Sequence, residues 1–245
     1  MKIVSLVPSI TEALFDLGLT EHEVVGRTKF CIHPQDKVKN VAIIGGTKNI
    51  NIEKIKALQP DIILANKEEN IKEQVEALMD EFKVKVTNVE TIEDNYYLLK
   101  NLGTLLGKEE RAQLFNLKIY DILNQTKLDT PVKAAYLIWK NPYMTVGSDT
   151  FIHKILTEIG FENIFKDKTR YPEITPEHLS EADVIMLSSE PFPFKEKHIE
   201  ELRIIYPDKK IMIVDGEAFS WYGTHIAKCE QYFKGLISEI HSMQL

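Results

Sequence analysis

The residues best suited to chemistry fall in five short segments rich in polar and aromatic side chains. They are Pro8-Ser9, Gly45-Gly46-Thr47-Lys48-Asn49, Asn66-Lys67-Glu68-Glu69-Asn70, Ser188-Ser189-Glu190-Pro191-Phe192-Pro193-Phe194, and Asp215 to Tyr222 with Gly223 behind it. Each follows a run of β-prone residues, and the loops that leave the carboxyl ends of strands are where open α/β sheets hold ligands. Trp139, Tyr143, Phe192, Phe194, Trp221 and Tyr222 offer broad, flat contact to an apolar or conjugated ligand; the plainer alternative is that they cap a core. Gly45-Gly46 lets the backbone turn sharply and approach a ligand, or simply turn. It lacks the G-x-x-x-x-G-K-[ST] spacing of a phosphate loop. Glu68-Glu69 reads as the opening of a helix, where the dipole favours negative charge, with a role in a cleft as the alternative.

Catalytic and metal chemistry find less support. Cys31-x-His33 could chelate a metal, but structural zinc sites need four ligands and no second Cys/His pair is present. A contact to a ligand and an ordinary loop are the other readings of His33. There is no G-x-S-x-G elbow, and no acid near Cys31 and His33 to orient a dyad. Glu68, Glu190, Asp215 and Glu217 remain as carboxylates able to serve a ligand or a reaction.

The elements that must position these loops alternate. Ile3–Val7 reads as a strand, and Ser9-Ile10-Thr11-Glu12 has the spacing of a capping box at a helix start, with Gly18 as its left-handed terminator. Val24–Arg27, Val41–Ile44, Ile62–Ala65 and Val84–Val89 are further strands. Asn51 caps a helix over Ile52–Leu58, and a second helix covers roughly 68–81, with Ile71, Val75, Leu78 and Met79 inward. From Glu93 to about Gln125 the pattern is helical, interrupted near Gly107. The alternation then resumes: strand Ala134–Trp139, a helix capped by Asp149/Thr150, a helix start at Thr175-Pro176, strands Val184–Leu187 and Ile211–Val214, and a final amphipathic helix carrying Ile226 to Ile240. Strand–helix alternation implies mainly parallel sheets. The fold class expected is therefore α/β, with two Rossmann-like lobes joined by a long helix: residues 1–100, a helical connector over 101–130, and 131–245. Two such lobes would leave a cleft, a preferred place for a ligand.

Composition narrows the function. The chain has 245 residues, 44% hydrophobic and 27% charged, with a formal net charge of −7. This is the balance of a globular protein, without the basic footprint that nucleic-acid binding needs. No stretch approaches the ~20 apolar residues of a membrane helix. The apolar run after Met1-Lys2 is too short for a signal peptide, and the two cysteines form no disulfide framework. Both features point to a cytoplasmic protein, or to a periplasmic or cell-surface one from which a leader has been removed.

Several motifs together resemble one family. Val4-Ser5-Leu6-Val7-Pro8-Ser9-Ile10-Thr11-Glu12 is similar to its opening strand and first helix, and Leu58-Gln59-Pro60-Asp61-Ile62-Ile63 to its L-x-P-D junction. Gly160-Phe161-Glu162-Asn163-Ile164-Phe165 and Tyr171-Pro172-Glu173-Ile174 resemble its G-x-x-N-x-F and [WY]-P-x-[IV] segments. The family is that of the helical-backbone (class III) substrate-binding proteins, which serve vitamin B12 and iron-complex ABC transporters. Gly45 to Asn49, Asn66 to Asn70 and Ser220 to Gly223 resemble a branch called helical-backbone metal receptors, often without a signal peptide. The resemblance implies a monomer that binds a small metal complex: a corrinoid first, then an iron–siderophore or haem, with no cofactor required. It also implies an ABC permease as partner. Two departures stand out. Asn66 occupies a loop where the B12 protein has a large aromatic, and the permease-docking acids fall near Lys72/Glu73 and at Ser220. The expected ligand set is Pro8, Ser9, His33, Lys48, Asn66, Glu68, Trp139, Tyr143, Tyr171, Glu190, Phe192, Phe194, Asp215, Trp221 and Tyr222. The rival expectation is an enzyme or cytoplasmic metabolite sensor that reuses the scaffold.

Overall fold

The computed structural model describes residues 1–242. In chain order its elements begin with β1 (Ile3–Ser5), α1 (Pro8–Asp16), β2 (Val24–Arg27), α2 (Gln35–Val38), β3 (Ala42–Ile43), β4 (Gly45–Gly46), β5 (Asn49–Ile50), α3 (Ile52–Leu58), β6 (Ile62–Asn66), α4 (Lys72–Met79) and β7 (Val84–Thr87). Two long helices follow, α5 (Ile92–Leu106) and α6 (Glu109–Gln125). The rest comprises β8 (Val132–Trp139), β9 (Tyr143–Thr145), α7 (Phe151–Glu158), β10 (Phe161–Asn163), β11 (Glu173–Ile174), β12 (Val184–Ser188), α8 (Glu196–Ile205), β13 (Lys210–Val214), α9 (Gly216–Ser220) and α10 (Glu230–His241).

The chain divides into two compact units. The first contains Met1–Val89, Glu93–Lys118 and the short return Tyr222–His225; the second contains Glu90–Ile92, Ile119–Trp221 and the chain from Ile226 on. The partition falls inside α6. The first unit holds a parallel sheet of order β3-β2-β1-β6-β7. The second holds β11-β9-β8-β12-β13, with β10 also on β8; its β8, β10, β12 and β13 are parallel and its β9 and β11 antiparallel. These are the two α/β lobes with largely parallel sheets that the strand–helix alternation predicts.

The central strands explain themselves. Ile62-Ile63-Leu64-Ala65-Asn66 and Val184-Ile185-Met186-Leu187-Ser188 are buried along their whole length. A strand covered on both faces reads as a continuous apolar run rather than an alternation. Around β12, Ala135, Leu137, Leu179, Leu187, Ile199 and Leu202 form one core. Each fully buried aliphatic side chain there contributes roughly 1.5–3 kcal/mol.

Local departures have local causes. The helix α1 starts at Pro8 with Val7 as its cap and no side-chain cap bond, so Ser9 to Glu12 is not a capping box. Proline's fixed φ starts the helix two residues early and carries Ser9 and Glu12 inside it, both buried. The helix α4 begins at Lys72, not near 68, which corrects the reading of Glu68-Glu69 as a helix opening. The Asn66 carboxamide oxygen accepts from the amides of Glu68 (2.8 Å) and Glu69 (3.2 Å), a turn that competes with helix. Met79, expected inward, is exposed, as are Leu114 and Leu117 of α6. Thr175-Pro176 opens only a short 3-10 turn, Pro176–Leu179, and Ile226 lies in another, His225–Lys228, ahead of α10. Asn51 and Thr150 cap α3 and α7 as expected.

Candidate functional site

In the first unit, β1, β2, β3 and β6 deliver Pro8-Ser9, Thr28 to His33, Gly45 to Lys48 and Asn66 to Asn70 from their carboxyl ends. Asn70, 6% exposed, ties three of these loops together. Its amide nitrogen donates to the carbonyls of Leu6 (3.2 Å) and Thr47 (3.1 Å), and its oxygen accepts from the amide of Asn66 (2.9 Å). Gly45 sits at φ +119, and a Cβ there would lie 2.4 Å from the Asn49 carbonyl oxygen, so the β4–β5 turn requires glycine. Lys48 reaches the Glu68 carbonyl at 2.5 Å, which brings those two loops together. Asn66 is buried and committed: its nitrogen donates to Thr87 Oγ1 at 3.2 Å while its oxygen holds the following turn. Ser9 is buried, whereas Pro8 and His33 are partly exposed. The His33 ring lies 6.1 Å from that of His225. Cys31 is wholly buried, with the hydroxyls of Thr11 (3.0 Å) and Thr28 (3.2 Å) on its sulfur. Burial pushes its thiol pKa up, which makes it a poor nucleophile or metal ligand.

In the second unit the carboxyl ends of β8, β12 and β13 lie side by side, since Leu187 pairs with both Leu137 and Ile213. Trp139, 40% exposed, meets the edge of Phe192 at 5.7 Å. Phe192 in turn packs at 4.8 Å on Phe194, which is buried in the β12 core with Tyr143 at its margin. The same loop, two residues before Phe192, carries a polar group. Glu190 accepts from Ser220 Oγ (2.8 Å) and from the indole nitrogen of Trp221 (3.0 Å). Burial first, then the charges of Glu217 and Asp215, raise the Glu190 pKa against the two hydrogen bonds that lower it. Asp215 caps α9, accepting from the Glu217 amide at 3.0 Å. Trp221 and Tyr222 are largely buried, and the Arg170 guanidinium lies 5.5 Å over the Tyr171 ring.

The expected residues thus form three groups: Lys48 with Glu68; Trp139 with Phe192 and Phe194; and Glu190 with Trp221, near Asp215. Three partners were not foreseen in these roles: Asn70, Ser220 and His225. Asn70 and Ser220 lie within polar segments already singled out, Ser220 at a position where the docking acid of the resembled family is absent. Among the described residues no group of three or more His, Cys, Asp or Glu is placed to hold a metal, and no helix is long and apolar enough to cross a membrane.

The Glu190 environment gives a pH-dependent expectation. A carboxyl whose pKa is raised by folding stabilises the fold below its unfolded value, and this contribution is lost as pH rises through the folded value. Glu190→Gln keeps an oxygen for Ser220 and Trp221 but carries no charge. Its thermal midpoint should exceed wild type at pH 7.5, where burial opposes the charge of Glu190, and should match it near pH 4. A variant less stable than wild type at pH 7.5 would refute the electrostatic account.

Two α/β units linked through long helices, each with ligand-type loops at the carboxyl ends of its strands, define a binding protein of the helical-backbone kind. The profile of the periplasmic binding protein family matches residues 3–198, and the chain belongs to that family. Its relatives include the vitamin B12-binding protein of Salmonella typhimurium, 29% identical over 184 residues, or 73% of this chain and 68% of the relative. An ABC transporter substrate-binding lipoprotein of Bacillus subtilis is 29% identical over 72% of this chain, which spans 59% of that relative's length. Among solved structures, the periplasmic vitamin B12-binding protein of Vibrio cholerae superposes with a TM-score of 0.82 at 19% identity, covering 97% of this chain and 96% of that one. The periplasmic haem-binding protein of the same organism does so at 0.82 and 20%, covering 97% and 98%. At such identities the likeness establishes the fold.

Family membership also corrects the cytoplasmic expectation, because the family and these solved relatives are periplasmic binding proteins. The thiol argument was weak for a physical reason. Cys31 and Cys229 are both buried and not joined in a disulfide, so neither needs a reducing compartment to stay a thiol.

Proposed function

We propose that this protein is the substrate-binding component of an ABC-type uptake system, a monomer that binds a metal-containing or bulky planar small molecule, with a corrinoid first and haem or an iron–siderophore next. It hands this ligand to a permease without transforming it. The observation that carries the ligand class is the aromatic face at the carboxyl edge of the second sheet. There Trp139 stays 40% exposed although the Phe192 ring packs against it, with Phe194 behind Phe192. A large ring left uncovered suits a flat ligand. The B12 name of the Salmonella relative and the transporter name of the Bacillus one support the same reading. Glu190 and Asp215 of the second unit are assigned to the ligand's polar periphery.

Titration with cyanocobalamin and haemin, followed by tryptophan fluorescence, tests this. Both chromophores absorb where tryptophan emits, so contact-distance binding should quench most of the emission. Trp139→Ala should weaken binding by about tenfold, since one stacked ring and its buried area are worth more than 1 kcal/mol. Trp139→Phe should cost less. Absence of quenching by either compound and by a hydroxamate siderophore would reject the ligand class.

A further inference from the structure

The return segment Tyr222–His225 belongs to the first unit although 221 and 226 belong to the second. Three side chains of the first unit hold it. Asn95 of α5, with no exposed surface, reads both sides of Gly223: its oxygen accepts from the Gly223 amide (2.5 Å) and its nitrogen donates to the Gly223 carbonyl (3.2 Å). Thr224 Oγ1 donates to Asp16 at 2.5 Å, and His225 Nδ1 lies 2.8 Å from Glu12 Oε2. Gly223 stands at φ +80, and a Cβ there would meet the Ser9 carbonyl at 3.2 Å and the Ala13 Cβ at 3.3 Å. One residue upstream of Tyr222, the Trp221 indole is fixed on Glu190.

We infer that Asn95 is a positioning residue for binding: it preorganises the Tyr222-Gly223 turn of the first unit so that the ligand meets an ordered backbone there. The inference rests on the proposed function, in that Tyr222 is taken to face the ligand. The geometry favours Asn95 over a purely structural filler. A carboxamide that satisfies the donor and the acceptor of one distant residue fixes that residue's peptide planes, which an apolar side chain of equal volume cannot do. Ordering a segment in advance removes a cost that binding would otherwise meet.

The test compares Asn95→Ala and Asn95→Asp with Leu102→Ala, a control that empties a buried site on the same helix. Three quantities are measured: the thermal midpoint, amide hydrogen exchange at Gly223 and Thr224, and affinity for cyanocobalamin and haemin. Asn95→Ala should speed exchange at Gly223 by about a hundredfold and weaken binding at least tenfold. Asn95→Asp keeps the acceptor for the Gly223 amide and should fall between. Leu102→Ala should lower the midpoint by as much or more while leaving both the exchange at Gly223 and the affinity near wild type. Wild-type affinity in Asn95→Ala, or an equal loss of affinity in Leu102→Ala, overturns the inference. Should wild type bind neither compound, the proposed ligand class fails separately. Exchange at Gly223 then decides the positioning role: a change in Asn95→Ala but not in Leu102→Ala supports it, and no change in Asn95→Ala overturns it.

Discussion

His225→Leu should lower the thermal midpoint by about 6–20 °C. The Glu12 carboxyl is 2% exposed, and His225 Nδ1 faces it at 2.8 Å from a position 213 residues away. One proton lies in this contact, donated by Nδ1 when the carboxyl is ionised. Removing one member of a buried pair typically costs about 3–5 kcal/mol, because the other is left desolvated without that donor. A chain of this size loses about 2–4 °C per kcal/mol. Glu12→Gln, which keeps the shape and one acceptor, should cost less than half as much. The double variant Glu12→Leu/His225→Leu should recover part of the loss, since replacing both members by apolar groups removes the unpaired charge. Thermal unfolding followed by circular dichroism would measure all three. Equal midpoints for His225→Leu and wild type would mean that the pair contributes nothing net. A double variant worse than the sum of the singles would mean that the site tolerates no apolar substitution at all.

The same pair shows where a sequence stops being readable. Strands such as β6 and β12 announce themselves, because a parallel strand covered on both faces must be apolar throughout. Asn51 and Thr150 are legible because a cap acts on the residue three places on. The bounds of α1 and α4 were misread, since proline and asparagine each offer the backbone a local alternative whose outcome depends on neighbours. The strands β9, β10 and β11 are two or three residues long and exist only through pairing with β8 or with each other. Nothing local marks them. The loops of the candidate site were visible as polar and aromatic clusters, but not how their members would be used. Asn66 spends its whole side chain on its own turn, and Trp221 is fixed by Glu190. The bonds that Asn95 and Glu12 make span 128 and 213 residues, and no spacing rule reaches that far.

Gly216→Ala should disturb the Glu190 loop of the candidate site. Gly216 begins α9 directly beneath the Glu190 loop, and its amide donates to Ser189 Oγ at 2.9 Å. A Cβ there would stand 2.5 Å from Glu190 Cγ, 2.6 Å from Ser188 Oγ and 2.9 Å from the Glu190 amide nitrogen. A side chain could swing away, but the amide nitrogen is backbone, and the Ser188 hydroxyl is held by the Glu190 carbonyl at 2.6 Å and by Tyr136 at 3.1 Å. The loop as a whole must therefore shift, and overpacking of this kind costs about 1–3 kcal/mol. The shift would move Glu190 off Ser220 and Trp221, so on the proposed function affinity for the ligand should fall at least tenfold, together with the loss of stability. Gly235→Ala is the matched control. It lies within α10 with nothing within 4 Å of the added carbon, and there alanine should stabilise the protein by about 0.5–1 kcal/mol through helix propensity. Thermal unfolding and cyanocobalamin titration of the two variants should therefore move in opposite directions for stability and separate completely for binding. A Gly216→Ala protein with wild-type stability and a wild-type Trp221 emission spectrum would show that the Glu190 loop yields without cost, and that its contacts with Ser220 and Trp221 do not define the site.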